Sequence, residues 1–566
     1  MVNFKEEAVK LLSLVIENMD ETEISEALEV PKYTNMGDFA FPCFKLSKEF
    51  RKAPNMISKD LEEKIVISEA FEKIEAVGPY INFTNSKSIF AKSVITKVLN
   101  EADDYGNSDL GGNKKVIVEF SSPNIAKPFH MGHIRTTMIG NSLYRIHKKI
   151  GYDTVAINHL GDYGTQFGKL IVAFKKWGNR EVIDKDPIAE LVKIYVKFHE
   201  VAEEEPNLED EARAWFKKLE EGDQEAKELW KWMRDASLKE FSRVYDMLDV
   251  HFDSYAGESF YSDKIPAVLE ELREKNVVIK DDGAEIVDLE EYNMPPALIT
   301  KKDGSSLYIT RDIAAAMYRK EHYDFHKNIY VVGSQQHLHF AQWMKIIDLM
   351  GHDWSKDCVH VEFGMVGLEE GSMSTRKGRV VYLEDVLNKA VEQTKKIIEE
   401  KNPNLENKEE IAKAVGVGAV VFQELSNNRI KDYTFSWEKT LSFEGETGPY
   451  VQYTHARACS LLRKAGVESL ENINFSRIED EVSIDVIRLL NKFPEVIVDA
   501  SNKYEPSIIS RYVVNLAQMF NRFYHDNPII VDDLELKKAR IAIVQAVANT
   551  IKNGLYLVGL KAPERM

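Results

Sequence analysis

Val116-Ile117-Val118-Glu119-Phe120, then Ser121-Ser122-Pro123-Asn124, then His130-Met131-Gly132-His133 form one short stretch of this chain, and it decides the fold. The first five residues have the make-up of a buried strand. The next four break it with turn chemistry. From there Ile134, Met138, Leu143, Ile146 and Ile150 recur at helical spacing until Gly151. The pattern predicts strand, loop, helix, with two imidazoles and a glycine at the helix start. Backbone N–H groups and the positive end of the helix dipole make that position a ready phosphate site, and Gly132 lets a ligand approach the backbone. The plainer reading is a His-Xaa-Xaa-His pair that caps a helix or binds a stray metal.

Working outward, apolar runs and helical stretches alternate from Lys115 to about Leu383. Val155–Asn158, Asn328–Val332 and Val359–Phe363 look like further strands. The lengths between them allow the helical crossovers that parallel strands need. The expected fold is α/β: a doubly wound parallel Rossmann-type catalytic domain over 113–383. Two insertions interrupt it, at about 170–238 (densely charged, helical in spacing) and about 258–305 (short strands around Asp281-Asp282-Gly283). Residues 1–112 read as a separate N-terminal α+β domain. It opens with an amphipathic helix (Val9, Leu12, Val15), continues through Asn35–Pro42 as loop and strand, and ends at the linker Asp109–Asn113. Residues 384–566 turn almost wholly helical and predict a C-terminal all-helical bundle.

The 566 residues exceed one ordinary core. An apolar content of 44% is that of a globular protein. No apolar run is long enough to span a membrane, and the charged N-terminus lacks the apolar core of a secretory signal. Three scattered cysteines (Cys43, Cys358, Cys459) supply neither a disulfide framework nor a zinc site, which suits a reducing cytoplasm. The net charge of −18 argues against a sequence-blind nucleic-acid binder. Residues 114–149 nevertheless carry seven basic side chains against Glu119 alone, and binding follows local potential. Gly164–Leu170 is not a phosphate loop: only three residues separate its glycines, and a leucine follows Lys169. His337 and His339 suggest a metal, an ATP contact or simple packing. Alternation at a strand end would put both on one face, but no cysteine or carboxylate in the sequence completes a site, so no metal ligands are assigned.

Ser122–His133 resembles the His-Ile-Gly-His region of class I aminoacyl-tRNA synthetases, specifically the arginyl enzymes. Met373-Ser374-Thr375-Arg376-Lys377-Gly378 resembles that family's Lys-Met-Ser-Lys-Ser loop. Gly161–Gly168 and Gly448–Arg457 resemble two further stretches of arginyl enzymes, and the four matches arrive in the family's order. The resemblance implies ATP-dependent attachment of L-arginine to tRNA(Arg) through an arginyl-adenylate, releasing AMP and pyrophosphate. The implied partners are tRNA(Arg), L-arginine and ATP, with Mg2+ arriving as the nucleotide complex, in a cytoplasmic monomer without membrane contact.

Amino-acid activation sends a carboxylate to the α-phosphate in line, so catalysis is mostly positioning and charge stabilisation. His130 and His133 supply donors there, and Gly132 leaves room for adenosine. This sequence departs from the general class I loop, with Ser372 and Thr375 standing where lysines are usual. The resemblance implies that Lys127, three residues before the first histidine, compensates, so the cationic role is shared among Lys127, Arg376 and Lys377. Ser374 and the backbone of Met365 and Val366 complete the expected nucleotide site.

For arginine, the resemblance implies Glu119, Tyr308 and Asp312 around the guanidinium, whose five donors call for planar acceptors. It implies Asn124 and Gln336 on the amino and carboxylate groups. Plainer readings are a buried Glu119 paired with a basic neighbour, and an Asp312 paired with Arg311. For tRNA the candidates are Asn35, Phe39 and Phe41 in the N-terminal domain, whose aromatic faces can stack on bases or simply pack in the core. Tyr450, Tyr453 and Arg457 are the candidates in the helical domain. The rivals are another class I synthetase, such as a cysteinyl enzyme (which would want a zinc–thiolate site), and a degenerate synthetase-like tRNA binder, which would have lost His130, His133 or the carboxylates.

Overall fold

The computed structural model describes residues 2–33, 36–302, 304–305, 307–368, 381–466 and 469–566. Its strands are β1 (Phe39–Pro42), β2 (Phe71–Val77), β3 (Tyr80–Asn85), β4 (Lys115–Glu119), β5 (Asp153–Ile157), β6 (Ile279–Asp281), β7 (Ala284–Val287), β8 (Ala297–Thr300), β9 (Lys327–Gly333), β10 (Cys358–Phe363), β11 (Val366–Leu368) and β12 (Tyr433–Phe435).

Val116, Ile117 and Val118 of β4 are buried on both faces, as a central parallel strand requires. The main sheet has the order β10-β9-β4-β5, all parallel. The chain leaves β4, crosses to β5 through the His133–Lys149 helix, and later returns to β9 on the other side of β4. The strand order therefore reverses between β4 and β9, and the crevice at their carboxyl ends is where such sheets bind ligands. The sheet is the predicted doubly wound one.

The His133–Lys149 helix is locked onto this sheet. Thr136 Oγ1 accepts from Ser121 N at 3.0 Å and donates to the Val331 carbonyl at 2.7 Å, joining the loop after β4 to β9. Gly140 allows the closest approach, since a Cβ there would lie 2.1 Å from Phe120 Cβ. Arg135, 1% exposed, pairs through Nε with Glu424 Oε1 at 2.8 Å and donates to the carbonyls of Lys431 and Arg429. On the other face of the sheet, the Tyr308–Tyr323 and His337–Leu349 helices bury Ile313, Phe340, Trp343 and Ile347 against Tyr330.

The first predicted insertion is a set of helices, among them Pro187–Glu204, Asn207–Glu221 and Gln224–Leu248. The second carries the antiparallel sheet β6-β7-β8. Beyond Tyr382 the chain is helical as expected, except for β12, which pairs in parallel with β11. Three-residue strands are too short to show a period. His337 and His339 lie in the first turn of a helix rather than at a strand end, which corrects the alternation inferred for them.

The chain forms two compact units. One comprises Met1–Tyr105, Thr454–Phe493 and Asn515–Asn553, the other Gly106–Tyr453, Pro494–Val514 and Gly554–Met566. In the first, β1-β3-β2 is an antiparallel sheet, Phe4 packs on Phe71 and Phe90, Phe71 on Phe83, and Phe41 is fully buried.

His147 reports on how the second unit is held. Its Nδ1 donates to the Leu143 carbonyl at 2.8 Å and its Nε2 lies 3.2 Å from Ser501 Oγ. Burial pushes the imidazole down to about 4, with Lys327 adding to the effect. In the unfolded chain the same ring protonates near 6.5, so on acidification the unfolded state takes the proton first. The stability His147 contributes is complete above about pH 6.5 and is lost progressively down to about pH 4, by roughly 3 kcal/mol. Urea melts across this range should show that loss, and His147→Gln should flatten it.

Candidate active site

The His130–His133 turn is built by the backbone. The His130 N–H donates to His133 Nδ1 at 3.1 Å, and the Gly132 N–H donates to His130 Nδ1 at 3.1 Å. The His130 carbonyl also lies 3.2 Å from His133 Nδ1, but the fixed N–H donor makes that nitrogen an acceptor. Each ring is thereby assigned the tautomer that carries its proton on Nε2. Phe129 stacks on His133 at 4.9 Å between ring centroids, and the two imidazoles lie 4.0 Å apart. His133 keeps an edge at the surface of the crevice, yet burial and then the His130 ring push its imidazole down to about 3, with Lys127 adding to the push. Burial lowers His130 as well. Both are neutral donors at the start of the helix, which is what a developing anion needs.

Lys127 is exposed and close enough for its charge to act on His133. Residues 381–383, directly downstream of the Arg376-Lys377 stretch in sequence, run antiparallel to 129–131. Met131 N donates to the Val381 carbonyl and Leu383 N to that of Phe129. Ser374, Arg376 and Lys377 themselves, and Asn35, lie outside the described residues.

Of the residues named for arginine, Glu119 and Asp312 lie close enough that both carboxylates act on the buried Tyr330. Glu119 ends β4, buried, with Oε2 at 2.5 Å from Arg319 Nη1, off the line of a hydrogen bond. Burial works against the Arg319 charge, but the carboxylate outweighs it and holds the group well above its ordinary value. Glu119 is thus a charge-paired core residue as well as a pocket candidate. Asp312 does not pair with Arg311. Its Oδ2 meets His339 Nε2 at 2.6 Å, while Arg311 pairs with Glu258 at 3.0 Å and covers the Tyr308 ring at 4.5 Å. Burial pushes the Glu258 carboxyl up to about 7 against the pull of Arg311, with Asp312 and Asp162 adding to the rise. Tyr308 is 62% exposed at its helix start. Gln336 is exposed in the turn after β9. Asn124 bridges to Gly161, where a Cβ would stand 2.1 Å from the Asn124 amide oxygen.

The sequence reading missed Arg319 and Glu258, and with them the pairing of His339 with Asp312. Asp312 and Arg319 are seven positions apart, two helical turns on one face, and that spacing was the available signal. On the nucleotide side, Met365 N donates to Asp432 Oδ1 at 2.6 Å and its carbonyl accepts from Tyr433 N at 3.1 Å. Its backbone is spoken for, whereas Val366 follows on β11. Phe41 is fully buried in the N-terminal sheet and offers no face to a base, which corrects its candidacy; Phe39 is half-buried. In the Gly448–Ala465 helix, Tyr450 is half-buried, Tyr453 is 41% exposed, and Arg457 donates to Asn521 at 2.8 Å.

Comparison with known proteins agrees with this geometry. Residues 94–437 match the model described as tRNA synthetases class I (R), catalytic domain. Residues 451–566 match the DALR anticodon binding domain, and 4–84 the arginyl tRNA synthetase N terminal domain. The chain is 63% identical over 566 residues, all of both chains, to a Clostridioides difficile (strain 630) protein named Arginine--tRNA ligase. It is 59% identical over the same full span to one of that name from Halothermothrix orenii. The solved Thermus thermophilus arginyl-tRNA synthetase superposes with a TM-score of 0.81 at 24% identity, covering 99% of this chain and 100% of that one, and so shares the fold. Imidazoles at a helix start, carboxylates at a switch point and identity above one half along the whole length converge, and the chain belongs to the arginyl family of class I tRNA synthetases.

Proposed function

We propose how this chain's residues divide the work of its family's reaction, the ATP-dependent attachment of L-arginine to tRNA(Arg) through an arginyl-adenylate. The observation that carries the proposal is the pair of neutral imidazoles, each held by a backbone N–H so that its Nε2–H is free to donate at the helix start. His130 and His133 donate to the α-phosphate as the arginine carboxylate attacks it and pyrophosphate departs. Donors fixed before charge develops need no reorganisation. Lys127 meets the departing phosphates together with Arg376 and Lys377. Gly132 and Val366 face the adenosine, and Ser374 and Met365 border it. Mg2+ enters with the triphosphate; the carboxylates of the crevice, Glu119, Glu258 and Asp312, are already engaged by Arg319, Arg311 and His339.

Asp312, Glu119 and Tyr308 receive the substrate guanidinium, and Asn124 and Gln336 its amino and carboxylate ends. Glu258, its carboxyl pushed up to about 7 by burial, is a further wall of the same pocket. Tyr450, Tyr453, Arg457 and Phe39 contact tRNA, with 1–112, 113–383 and 384–566 as the working domains. The enzyme acts as a cytoplasmic monomer; no helix among the described residues is long and apolar enough to cross a membrane.

Asp312→Asn should raise the KM for arginine about 30- to 1000-fold with little change in that for ATP, the cost of a lost charge-assisted pair of about 2–4 kcal/mol. Steady-state aminoacylation checks it, and an unchanged arginine KM would remove Asp312 from the pocket. Glu119→Gln is the less clean variant, because it also strands the buried Arg319.

Lys127→Ala should lower kcat by an amount comparable to Arg376→Ala and leave the arginine KM unchanged, because both cations act on transition-state phosphates. Full activity in Lys127→Ala would leave the unusual loop composition without compensation.

Arginine-dependent ATP–pyrophosphate exchange by the full chain should be negligible alone and appear on adding tRNA(Arg). This is induced fit, in which tRNA binding by the helical domain orders the active site. Robust exchange without tRNA would contradict it.

A further inference from the structure

β9 and β10 run parallel, with His360 opposite Tyr330 and Glu362 opposite Val332. His360 and Glu362 are two residues apart on one strand, so their side chains share a face. The first residue of the His337–Leu349 helix reaches the same face: His337 Nδ1 lies 3.4 Å from Glu362 Oε1. His360 is oriented from two sides. Its Nε2 donates to the Val332 carbonyl at 3.0 Å, and its ring stacks on Phe340 at 4.2 Å and 16°. A ring held in this way presents Nδ1 as its lone pair, the arrangement by which metal-binding histidines are usually fixed, with the second nitrogen bonded to a carbonyl. One ligand atom from each of His337, His360 and Glu362 lies within 4.8 Å of the others.

We propose that His337, His360 and Glu362 form a binding site for a zinc-class divalent cation, open at its fourth position. Bonds of about 2.0–2.1 Å to nitrogen and oxygen put neighbouring ligands of a tetrahedral zinc about 3.4 Å apart, and His337 and Glu362 already stand at that spacing. His337, whose side chain is 69% exposed, has room to turn and adjust its own distances to the other two ligands. Two imidazoles and one carboxylate select zinc, cobalt or nickel over magnesium, which prefers oxygen ligands throughout. Arg429 donates to the Glu362 backbone carbonyl and its charge also acts on Glu362 and His360, while the carboxylate itself contacts His337. This site does not depend on the reaction proposed above.

The test is calorimetric titration of zinc chloride into the full chain in a non-chelating buffer. His337→Ala and Glu362→Gln serve as variants, and His251→Ala, an exposed histidine beside Asp249, as control. The wild-type chain and the control should bind one equivalent with the same affinity. Each site variant should lose about tenfold or more. X-ray absorption at the zinc edge of the one-to-one complex should show two imidazoles and at least one oxygen. No binding by the wild-type chain, undiminished affinity in both site variants, or fewer than two imidazoles on the bound zinc would each overturn the proposal.

Discussion

Arg135 carries the constraint on which the catalytic unit depends. It stands two residues after His133, fully buried, and its guanidinium ties the His133–Lys149 helix to Glu424 and to the carbonyls of Arg429 and Lys431 ahead of β12. Burying one charge alone would cost several kcal/mol, and breaking such a pair about 3–5 kcal/mol, so the helix, the loop and the Lys408–Ser426 helix hold one arrangement. Asp432 in that loop fixes Met365, and the β11–β12 pairing follows. The histidines at the helix start thereby keep a set relation to β11. A fully apolar contact would have packed equally well but would have specified the register less sharply.

Charge is sorted across the crevice. At the helix start the histidines are neutral, kept so by burial and, for His133, also by the His130 ring and Lys127. Neutral rings do not repel the cations expected to share the site. On the other side Glu119, Asp312 and Glu258 collect negative charge, enough that burial and its neighbours leave Glu258 near neutrality. A guanidinium entering that side relieves repulsion already present. In the proposed pocket an entering ammonium leaves planar acceptors unfilled, and unpaired buried acceptors discriminate by more than an added methylene can. No separate editing step is then required.

Much of this was legible in the sequence because it rests on local pattern. β4 and its following helix appear as one apolar run and one 3.6-residue period, and β5, β9 and β10 are apolar runs between helices. The resemblance named the side chains around the crevice. What the sequence hid lies in pairings between residues far apart. Arg319 meets Glu119 across 200 positions, and Asp312 chooses His339 over the adjacent Arg311. Phe41 shows the reverse failure. Ala40 and Phe41 are buried at successive positions of β1, so both faces of this short strand are covered and no alternation in residues 39–42 marks Phe41 as core.

The pairing of His360 and Glu362 with His337 has the same cause. In the sequence a carboxylate 25 residues from a histidine carries no signal, and His339, the nearer imidazole, looks the better companion. The helix that begins at His337 separates the two: His339 turns toward Asp312 and the amino-acid side of the crevice, while His337 faces the end of β10. Two residues along a helix are about 200° apart, so a strand at that position would have sent both histidines to one face and a helix sends them to opposite ones.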